Sequence, residues 1–282
     1  MNIQSYVNGE WISGDPDGQK VFNAINGEPI GNVSSSGIDF QSVVNYAREK
    51  GQAGLRDLTF HQRADKLKAL AKHLTDQKEK LYEISAWTGA TRTDSWVDIE
   101  GGTGTLFAYS SLAKNELPDK KVLVEGGVEA LSKEGSFVGQ HVLTTKPGVA
   151  LHINAYNFPC WGMLEKLAPS IIAGMPVIVK PATVSCYLTE AMTREIINSG
   201  ILPEGSVQLI CGSVGKIFNH LNEQDVVTFT GSATTGQKLK SHENIIGNSI
   251  PFNMEADSLN CCILGGTVDP DSAEFDLFIK EI

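Results

Sequence analysis

The sequence contains no hydrophobic run long enough to cross a membrane, and its first residues do not show the pattern typical of a secretory leader. Its 282 residues are 41% hydrophobic and 20% charged, a composition that excludes disordered, collagen-like and coiled-coil proteins. A membrane-spanning helix needs roughly 20 consecutive apolar residues, and residues 1–10 lack the basic start and apolar block of a signal peptide. We therefore expect a soluble protein located in the cytoplasm.

Cysteine is scarce and unpatterned. The cysteines are odd in number and none is in Cys-x-x-Cys spacing, which argues against both a disulfide framework and a zinc site. We expect reduced thiols and no bound metal. The five cysteines are Cys160, Cys186, Cys211, Cys261 and Cys262.

Basic residues are outnumbered by acidic ones. With 23 Lys and Arg against 33 Asp and Glu, the formal net charge is −10. Such a charge repels polyanions, so nucleic acid is not an expected partner. A local basic pocket could still hold a single phosphate.

Residues 1–117 begin with a short strand pair and continue as helices. Thr59 begins one helix with a capping box, because its hydroxyl can cap the first turn while the Gln62 side chain reaches back. The apolar residues that follow are three or four apart and share one helix face, which predicts core. This stripe comprises Leu67, Leu70, Ala71 and Leu74. The Gly101-Gly-Thr-Gly104 segment follows no strand, and we interpret its glycines as loop or helix-end residues.

Residues 118–147 change to alternating, β-prone residues interrupted by glycines. The pattern predicts a β-hairpin that protrudes from the body of the protein. A long hairpin needs something to cover its edges. We therefore expect a partner subunit there, with an internal sheet edge as the alternative.

From Val149 onward, short apolar strands alternate with amphipathic helices. Strands repeating every roughly 20 to 30 residues, apolar throughout, are typical of an α/β fold with a doubly wound parallel sheet. Ligands of such sheets bind beyond the carboxyl ends of the strands. The predicted strands are 149–153, 177–180, 207–211, 226–229, 250–254 and 261–264.

The segment from Asn154 to Gly162 follows the first of these strands. The Asn157 amide can donate a hydrogen bond to a developing oxyanion, and Pro159 would fix the entry into the next helix. An asparagine that satisfies the backbone of a turn is the alternative. The segment is therefore a candidate catalytic site that needs support from elsewhere in the chain.

Two further segments have the chemistry of a nucleotide site. Lys180 ends a buried strand, where its amine can meet ribose hydroxyls or phosphate, or simply reach solvent. Phe229–Gly236 runs from a strand through Gly231 and Ser232 into a helix, whose N-terminus attracts phosphate. A glycine-rich turn without a ligand is the alternative. Gly212 lies in a weaker version of the same turn.

Glu255 lies at a predicted strand end among apolar residues. Desolvation there would raise its pKa and suit it to act as a general base on water. Asp257 is the competing carboxylate. A capping or turn role is the alternative for both, and spacing alone does not separate them.

Taken in order and with their spacings, these segments resemble the aldehyde dehydrogenase family over essentially the whole chain. The family's Asn-Phe-Pro motif falls on Asn157–Pro159, its ribose-binding lysine on Lys180, its Phe-Thr-Gly-Ser turn on Phe229–Ser232 and its glutamate on Glu255. The resemblance implies a Rossmann-like, doubly wound sheet with N-terminal helices and a protruding hairpin.

The resemblance also implies a division of the chain. Residues 1–117 and 148–260 would form an NAD(P)-binding domain, and residues 118–147 a hairpin for homo-oligomerisation. Residues 261–282 would be the start of a truncated catalytic domain.

A mechanism is implied as well. A cysteine thiolate attacks the aldehyde, Asn157 holds the oxyanion, hydride passes to the nicotinamide, and Glu255 activates the water that cleaves the thioester. The family's Gly-Gln-x-Cys nucleophile motif is absent from this sequence, and we interpret Cys160, Cys261 and Cys262 as buried small hydrophobes. We therefore expect an N-terminal portion that lacks its nucleophile, with an inactive nucleotide-binding remnant as the alternative.

Thr183 occupies the position where many members of the family carry a glutamate that binds both adenine-ribose hydroxyls. A carboxylate would repel a 2′-phosphate and a threonine would not, so NADP is the expected cofactor, with NAD less favoured. The stretches Ser95–Gly102 and Met254–Cys262 are similar to a branch of the family in aromatic (phenylacetate) catabolism. That likeness implies a small aldehyde substrate, a CoA-linked semialdehyde.

Overall fold

The computed structural model describes residues 2–281, and strands in that range form a seven-stranded sheet and two two-stranded sheets. The strands are β1 (Ser5–Val7), β2 (Glu10–Ile12), β3 (Gln19–Phe22), β4 (Pro29–Val33), β5 (Val122–Ala130), β6 (Val138–Thr144), β7 (Ala150–Ile153), β8 (Val177–Lys180), β9 (Val207–Leu209), β10 (Val226–Gly231) and β11 (Phe252–Ala256).

Helices cover the large sheet and fill the N-terminal region. They are α1 (Phe40–Tyr46), α2 (Gln52–Arg56), α3 (Phe60–Asp76), α4 (Lys78–Ser85), α5 (Arg92–Trp96), α6 (Gly102–Glu116), α7 (Trp161–Ala173), α8 (Cys186–Asn198), α9 (Ala233–Lys240), α10 (Glu243–Gly247) and α11 (Ala273–Glu281), with π-helical turns at Ala47–Gly51 and Val97–Gly101 and 3-10 turns at Ala86–Thr88, Thr183–Ser185 and Ile217–His220. None of the described helices is long and apolar enough to cross a membrane.

The strand order of the large sheet is β11-β10-β7-β8-β9-β1-β2. Strands β7 to β11 pair in parallel, which confirms the predicted doubly wound sheet, while β1 pairs antiparallel with β2 and β9. The chain moves outward from β7 through β8 and β9 and then returns to place β10 on the other side of β7. The order therefore reverses between β7 and β10, and the crevice at such a reversal is where open α/β sheets bind ligands.

The large sheet separates two apolar cores, because successive side chains of a strand point to opposite faces. Ala150, Val177 and Val179 belong to one core, with residues of α3, α6, α7 and α8. Leu151 and Ile178 belong to the other, with residues of α1 and α9. We call the two sides the α7 face and the α9 face.

The predicted capping box is confirmed at the start of α3. The Gln62 amide donates to the Thr59 hydroxyl at 3.1 Å, and the Thr59 amide donates to Gln62 Oε1 at 2.9 Å. The predicted apolar stripe of this helix is fully buried in the core of the α7 face. Local sequence thus sets both where α3 begins and which side it packs.

Strands β5 and β6 form the predicted hairpin as a separate two-stranded sheet. Its pairing shifts register between Glu125 and Glu129, next to Gly126, whose φ of 69° favours glycine. Many of its apolar side chains are exposed. They include Val122, Val124, Val128, Val138, Val142 and Leu143.

The predicted strand at 261–264 is wrong. Residues 258–265 form no helix or strand, and Leu259 and Ile263 are 99% and 82% exposed. An apolar run becomes a strand only beside a partner that completes its hydrogen-bond ladder, and residues 2–281 offer none next to this run. Composition therefore identifies a β-prone segment, but it does not show whether a neighbouring strand is present to pair with it.

Candidate functional site at the strand reversal

The loop between β7 and α7 carries Asn157 and is tied down on both sides. The Ser185 hydroxyl donates to the Tyr156 carbonyl at 3.0 Å, and the Thr189 hydroxyl donates to the Pro159 carbonyl at 3.1 Å. Asn157 itself is exposed, whereas Pro159 is buried. The loop thus presents the Asn157 amide to solvent from an anchored backbone, beside the reversal between β7 and β10.

Lys180 ends the neighbouring strand β8 on the α9 face, two residues after Ile178 of that core. Burial lowers the pKa of its amine. Thr183 follows at the start of a 3-10 turn and is half-buried. The structure therefore brings the predicted ribose residue and the predicted phosphate-discriminating residue to the same sheet edge as Asn157.

The turn from β10 into α9 has the geometry of a helix N-terminus directed at a ligand site. The Ser232 hydroxyl accepts a hydrogen bond from the Thr235 amide at 3.3 Å and caps α9. A Cβ at Gly236 would lie 2.6 Å from Met254 Sδ and 2.9 Å from Phe229 Cε1. Glycine at 236 therefore lets α9 lie close against the sheet, with Gly231 at the strand end.

Phe229 and Gly212 have structural explanations of their own. Phe229 is 3% exposed and belongs to the core of the α9 face. Gly212 has a φ of 124°, and a Cβ there would lie 2.8 Å from the Ser35 amide nitrogen. Their predicted contacts with a cofactor remain predictions.

The two candidate carboxylates take different roles. Asp257 Oδ1 accepts a hydrogen bond from the Ala233 amide at 3.0 Å, so Asp257 caps α9. Glu255 Oε2 accepts one from the Thr230 hydroxyl at 3.2 Å and lies beside Thr230 in the parallel register. Glu255 makes no bond to α9 in the described structure, and its predicted burial is wrong: it is exposed.

Glu255 and Lys180 fall on opposite faces of the sheet. Met254 packs against the α9 core, so its neighbour Glu255 points to the α7 face. Asn154, next to Ile153 of the α9 core, also points to the α7 face, and both polar atoms of its buried amide lack a hydrogen-bond partner among the described residues. Lys180 is thus available to a ligand on the α9 face, and the Glu255 carboxylate to one on the α7 face.

A match to the family model for the aldehyde dehydrogenase family covers residues 11–276. The chain belongs to the aldehyde dehydrogenase family. A 3,4-dehydroadipyl-CoA semialdehyde dehydrogenase from Aromatoleum evansii is 41% identical over 283 residues, which covers 100% of this chain and 55% of that protein. The chain therefore spans about half the length of the curated relatives it matches.

Solved structures of other proteins share the fold. A betaine aldehyde dehydrogenase mutant from Staphylococcus aureus, in complex with NAD+, has a TM-score of 0.78 at 21% identity and covers 100% of this chain and 54% of its own. An NADP-dependent enzyme from Escherichia coli has a TM-score of 0.76 at 22% identity and covers 91% and 52%.

The described thiols divide into buried and exposed ones. Cys160 is fully buried, and burial together with the nearby Asp98 carboxylate raises its pKa well above the ordinary thiol value. Cys261 and Cys262 are exposed in the irregular segment after β11, so their predicted burial is wrong. No cluster of three or more metal-ligating side chains occurs within residues 2–281.

Asp98 is a site residue that sequence reasoning missed. Its carboxylate accepts hydrogen bonds from the backbone amides of Cys160 and Trp161, directly after the Asn157 loop. The two partners are 62 and 63 residues away from it. In the sequence, the Ser95–Gly102 stretch is distinguished only by its family likeness, and no local pattern indicates the contact.

Proposed function

We propose that the chain is the cofactor-binding portion of an NADP-dependent aldehyde dehydrogenase that oxidises a CoA-linked semialdehyde to its acid in aromatic catabolism, as in phenylacetate breakdown. The observation that carries the proposal is the convergence of Asn157, Lys180 and the β10–α9 turn at the strand reversal. The substrate class is supported by the name of the 41% identical relative, a CoA-semialdehyde dehydrogenase.

The chain's residues fit a bound dinucleotide. Lys180, on the α9 face, would donate to ribose hydroxyls, and the amide end of α9 would lie against phosphate with Gly231 and Ser232 at its start. Bound NADP would supply the hydride acceptor. The Asp257 carboxylate at the same helix end opposes an anion there, which makes it a residue to test.

The α7 face would supply the remaining groups. The Asn157 amide would donate to the oxyanion that forms when a thiolate adds to the aldehyde. Glu255 would take a proton from the water that hydrolyses the thioester. We also propose that the nucleophilic cysteine belongs to a part of the protein outside these 282 residues, because the described thiols are either buried or in an exposed irregular segment.

Thr183 supports NADP over NAD. A carboxylate at this position would repel the 2′-phosphate, and threonine removes that repulsion without adding an opposing charge. Proteins similar to this chain include both an NAD+ complex and an NADP-dependent enzyme, so cofactor choice depends on the residues of this chain.

The division of the chain follows from the same proposal. Residues 1–117 and 148–260 would form the NAD(P)-binding domain, and residues 261–282 would begin the catalytic domain. The hairpin at 118–147 would mediate a homo-oligomer, because the exposed apolar side chains of β5 and β6 need a cover. The free cysteines agree with a reducing, cytoplasmic location.

The alternative is an inactive NADP-binding remnant, and the exposure of Glu255 favours it for the chain on its own. Assays of aldehyde-dependent NADPH formation separate the two. The proposal predicts turnover by the intact protein that carries this chain, abolished by Glu255→Gln or Asn157→Ala, and no turnover by residues 1–282 alone. An intact protein that binds NADP without oxidising aldehydes would support the remnant.

A further inference from the structure

A buried carboxylate outside the matched motifs contacts the start of α7. Asp98 is 4% exposed. Its Oδ1 accepts from the Trp161 amide at 2.7 Å and from the Cys160 amide at 3.1 Å, while Oδ2 lies 3.2 Å from the Cys160 amide. These amides belong to the residues that immediately follow Asn157–Pro159. Asp98 is therefore an N-terminal cap supplied to α7 by a distant segment.

The segment that carries Asp98 is shaped for this approach. Residues Val97–Gly101 form a π-helical turn between α5 and α6, and such turns within helices are frequent at functional sites. A Cβ at Gly101 would lie 2.4 Å from Trp161 Cζ3, and one at Gly102 would lie 2.8 Å from Trp161 Cα. Both glycines thus permit contact between this segment and the start of α7.

A local cap would have been the simpler solution. Cys160, the residue at the N-cap position of α7, makes no side-chain capping bond, and a serine or threonine there could have capped the helix. Instead the helix start is bonded to a carboxylate whose pKa burial raises to about 6. Retaining a buried carboxylate without a cation is unfavourable, so the contact does more than satisfy two amides.

We propose that Asp98 is a positioning residue, which fixes the Tyr156–Trp161 loop and thereby holds the Asn157 amide where the oxyanion forms. This inference rests on the proposed function for the role of Asn157. Asp98 accepts hydrogen bonds from the Cys160 and Trp161 amides at the end of the loop. The Ser185 and Thr189 hydroxyls donate to the carbonyls of Tyr156 and Pro159. Removing Asp98 would leave the loop held by the Ser185 and Thr189 hydroxyls but without its bonds to the Val97–Gly101 turn.

Amide hydrogen exchange on the 282-residue chain tests the anchoring without requiring activity. Asp98→Ala is expected to speed exchange at Cys160 and Trp161 by about 10- to 100-fold, because each amide loses a bond to a charged acceptor. Exchange in β8 is expected to stay unchanged. Asp98→Asn keeps one acceptor oxygen and the side-chain size, so it should give a smaller, equally local effect.

The matched control is Glu100→Gln, which alters a carboxylate of the same π-helical turn. Glu100 bonds to Tyr82 and Lys78 instead of α7, so exchange at Cys160 and Trp161 should not change. Unchanged exchange in Asp98→Ala, or an equal rise throughout the sheet in both Asp98 variants, would overturn the inference. Should Asp98→Ala fail to fold, Asp98→Asn decides on the same criterion.

Kinetics of the intact protein test the consequence for Asn157. Asp98→Ala is expected to lower kcat at least tenfold, since small misplacements of a catalytic group have effects of that order, with KM for the aldehyde within about twofold and partial rescue by Asp98→Asn. Unchanged kcat in an active enzyme would contradict the inference. An inactive wild-type protein would refute the proposed function instead, and the exchange result would still decide the anchoring.

Discussion

Strands β7 and β11 belong to the same sheet but differ in how completely the chain surrounds them. Every residue of β7 is buried, whereas β11 alternates between exposed and half-buried residues and residues 257–263 beyond it are exposed. Asn157 follows the first strand and Glu255 lies in the second. The comparison teaches that the strand before the Asn157 loop is enclosed within residues 2–281, while the strand that bears Glu255 is only partly covered there.

A pair of isoleucines gives the largest expected contrast. Ile178 in β8 is fully buried and Ile263 is 82% exposed. Ile178→Ala should lower the free energy of unfolding by about 2 to 5 kcal/mol through the cavity it leaves, and Ile263→Ala should change it by less than about 0.5 kcal/mol. Urea unfolding of the two variants measures both. Equal losses would mean that the segment after β11 is packed as well as the central sheet.

Asp98 gives the next largest expected effect, which is a pH dependence of the free energy of unfolding. Burial raises its pKa in the folded chain to about 6 from an ordinary value of 3.8, so the folded state binds the proton more tightly. Protonated Asp98 therefore adds roughly 3 kcal/mol to the free energy of unfolding. This contribution is full below pH 3.8 and is lost as pH rises through 6.

The comparison with Asp98→Asn isolates that group from the other carboxylates. The stability of the wild type relative to this variant should increase as pH falls from 7 to 4, measured by urea unfolding at each pH. A difference in free energy of unfolding that does not change with pH would contradict a raised pKa at Asp98. It would also contradict the burial of Asp98 at the start of α7.

Cofactor binding should respond to Thr183. Thr183→Glu places a carboxylate where the 2′-phosphate would lie and is expected to weaken NADP binding by about tenfold or more, roughly 1.4 kcal/mol, while NAD binding is retained. Calorimetric titration of both cofactors measures the difference, and Thr93→Glu, at an exposed position of α5, controls for added charge. An equal loss for both cofactors would contradict the NADP assignment.

The smallest expected effect is at Asp257. Its carboxylate lies at the end of α9 that would face phosphate, so Asp257→Asn should strengthen NADP binding two- to fivefold, in line with about 0.5 to 1 kcal/mol for a charge at a helix terminus. Glu255→Gln removes a neighbouring charge that bonds to Thr230 instead and should change binding less. Weaker binding in Asp257→Asn would place the phosphate elsewhere.

Features encoded locally could be predicted from the sequence. The Thr59 capping box, the buried stripe of α3 and the apolar strands β7 to β10 depend on neighbouring residues, and all were confirmed. The prediction of a strand at 261–264 is wrong because a strand depends on a neighbouring strand from elsewhere in the chain, which composition does not reveal.

Features that depend on distant pairs could not be predicted. Their spacing in the sequence does not distinguish Glu255 from Asp257 as the candidate general base. The structure distinguishes them because Asp257 caps α9. The Gly101-Gly-Thr-Gly104 glycines were interpreted as loop or helix-end residues, yet they lie in a continuous helix where Gly101 and Gly102 approach Trp161. Close packing against another helix, rather than a turn, explains these two glycines.

Titration of NADP into the 282-residue chain tests most directly whether it contains a complete nucleotide side. We expect one NADP per chain, tighter binding of NADP than of NAD, and a clear loss of affinity in Lys180→Ala with unchanged thermal stability. Absence of NADP binding by the folded chain, or binding that Lys180→Ala leaves intact, would contradict a cofactor site built on β8, β10 and α9.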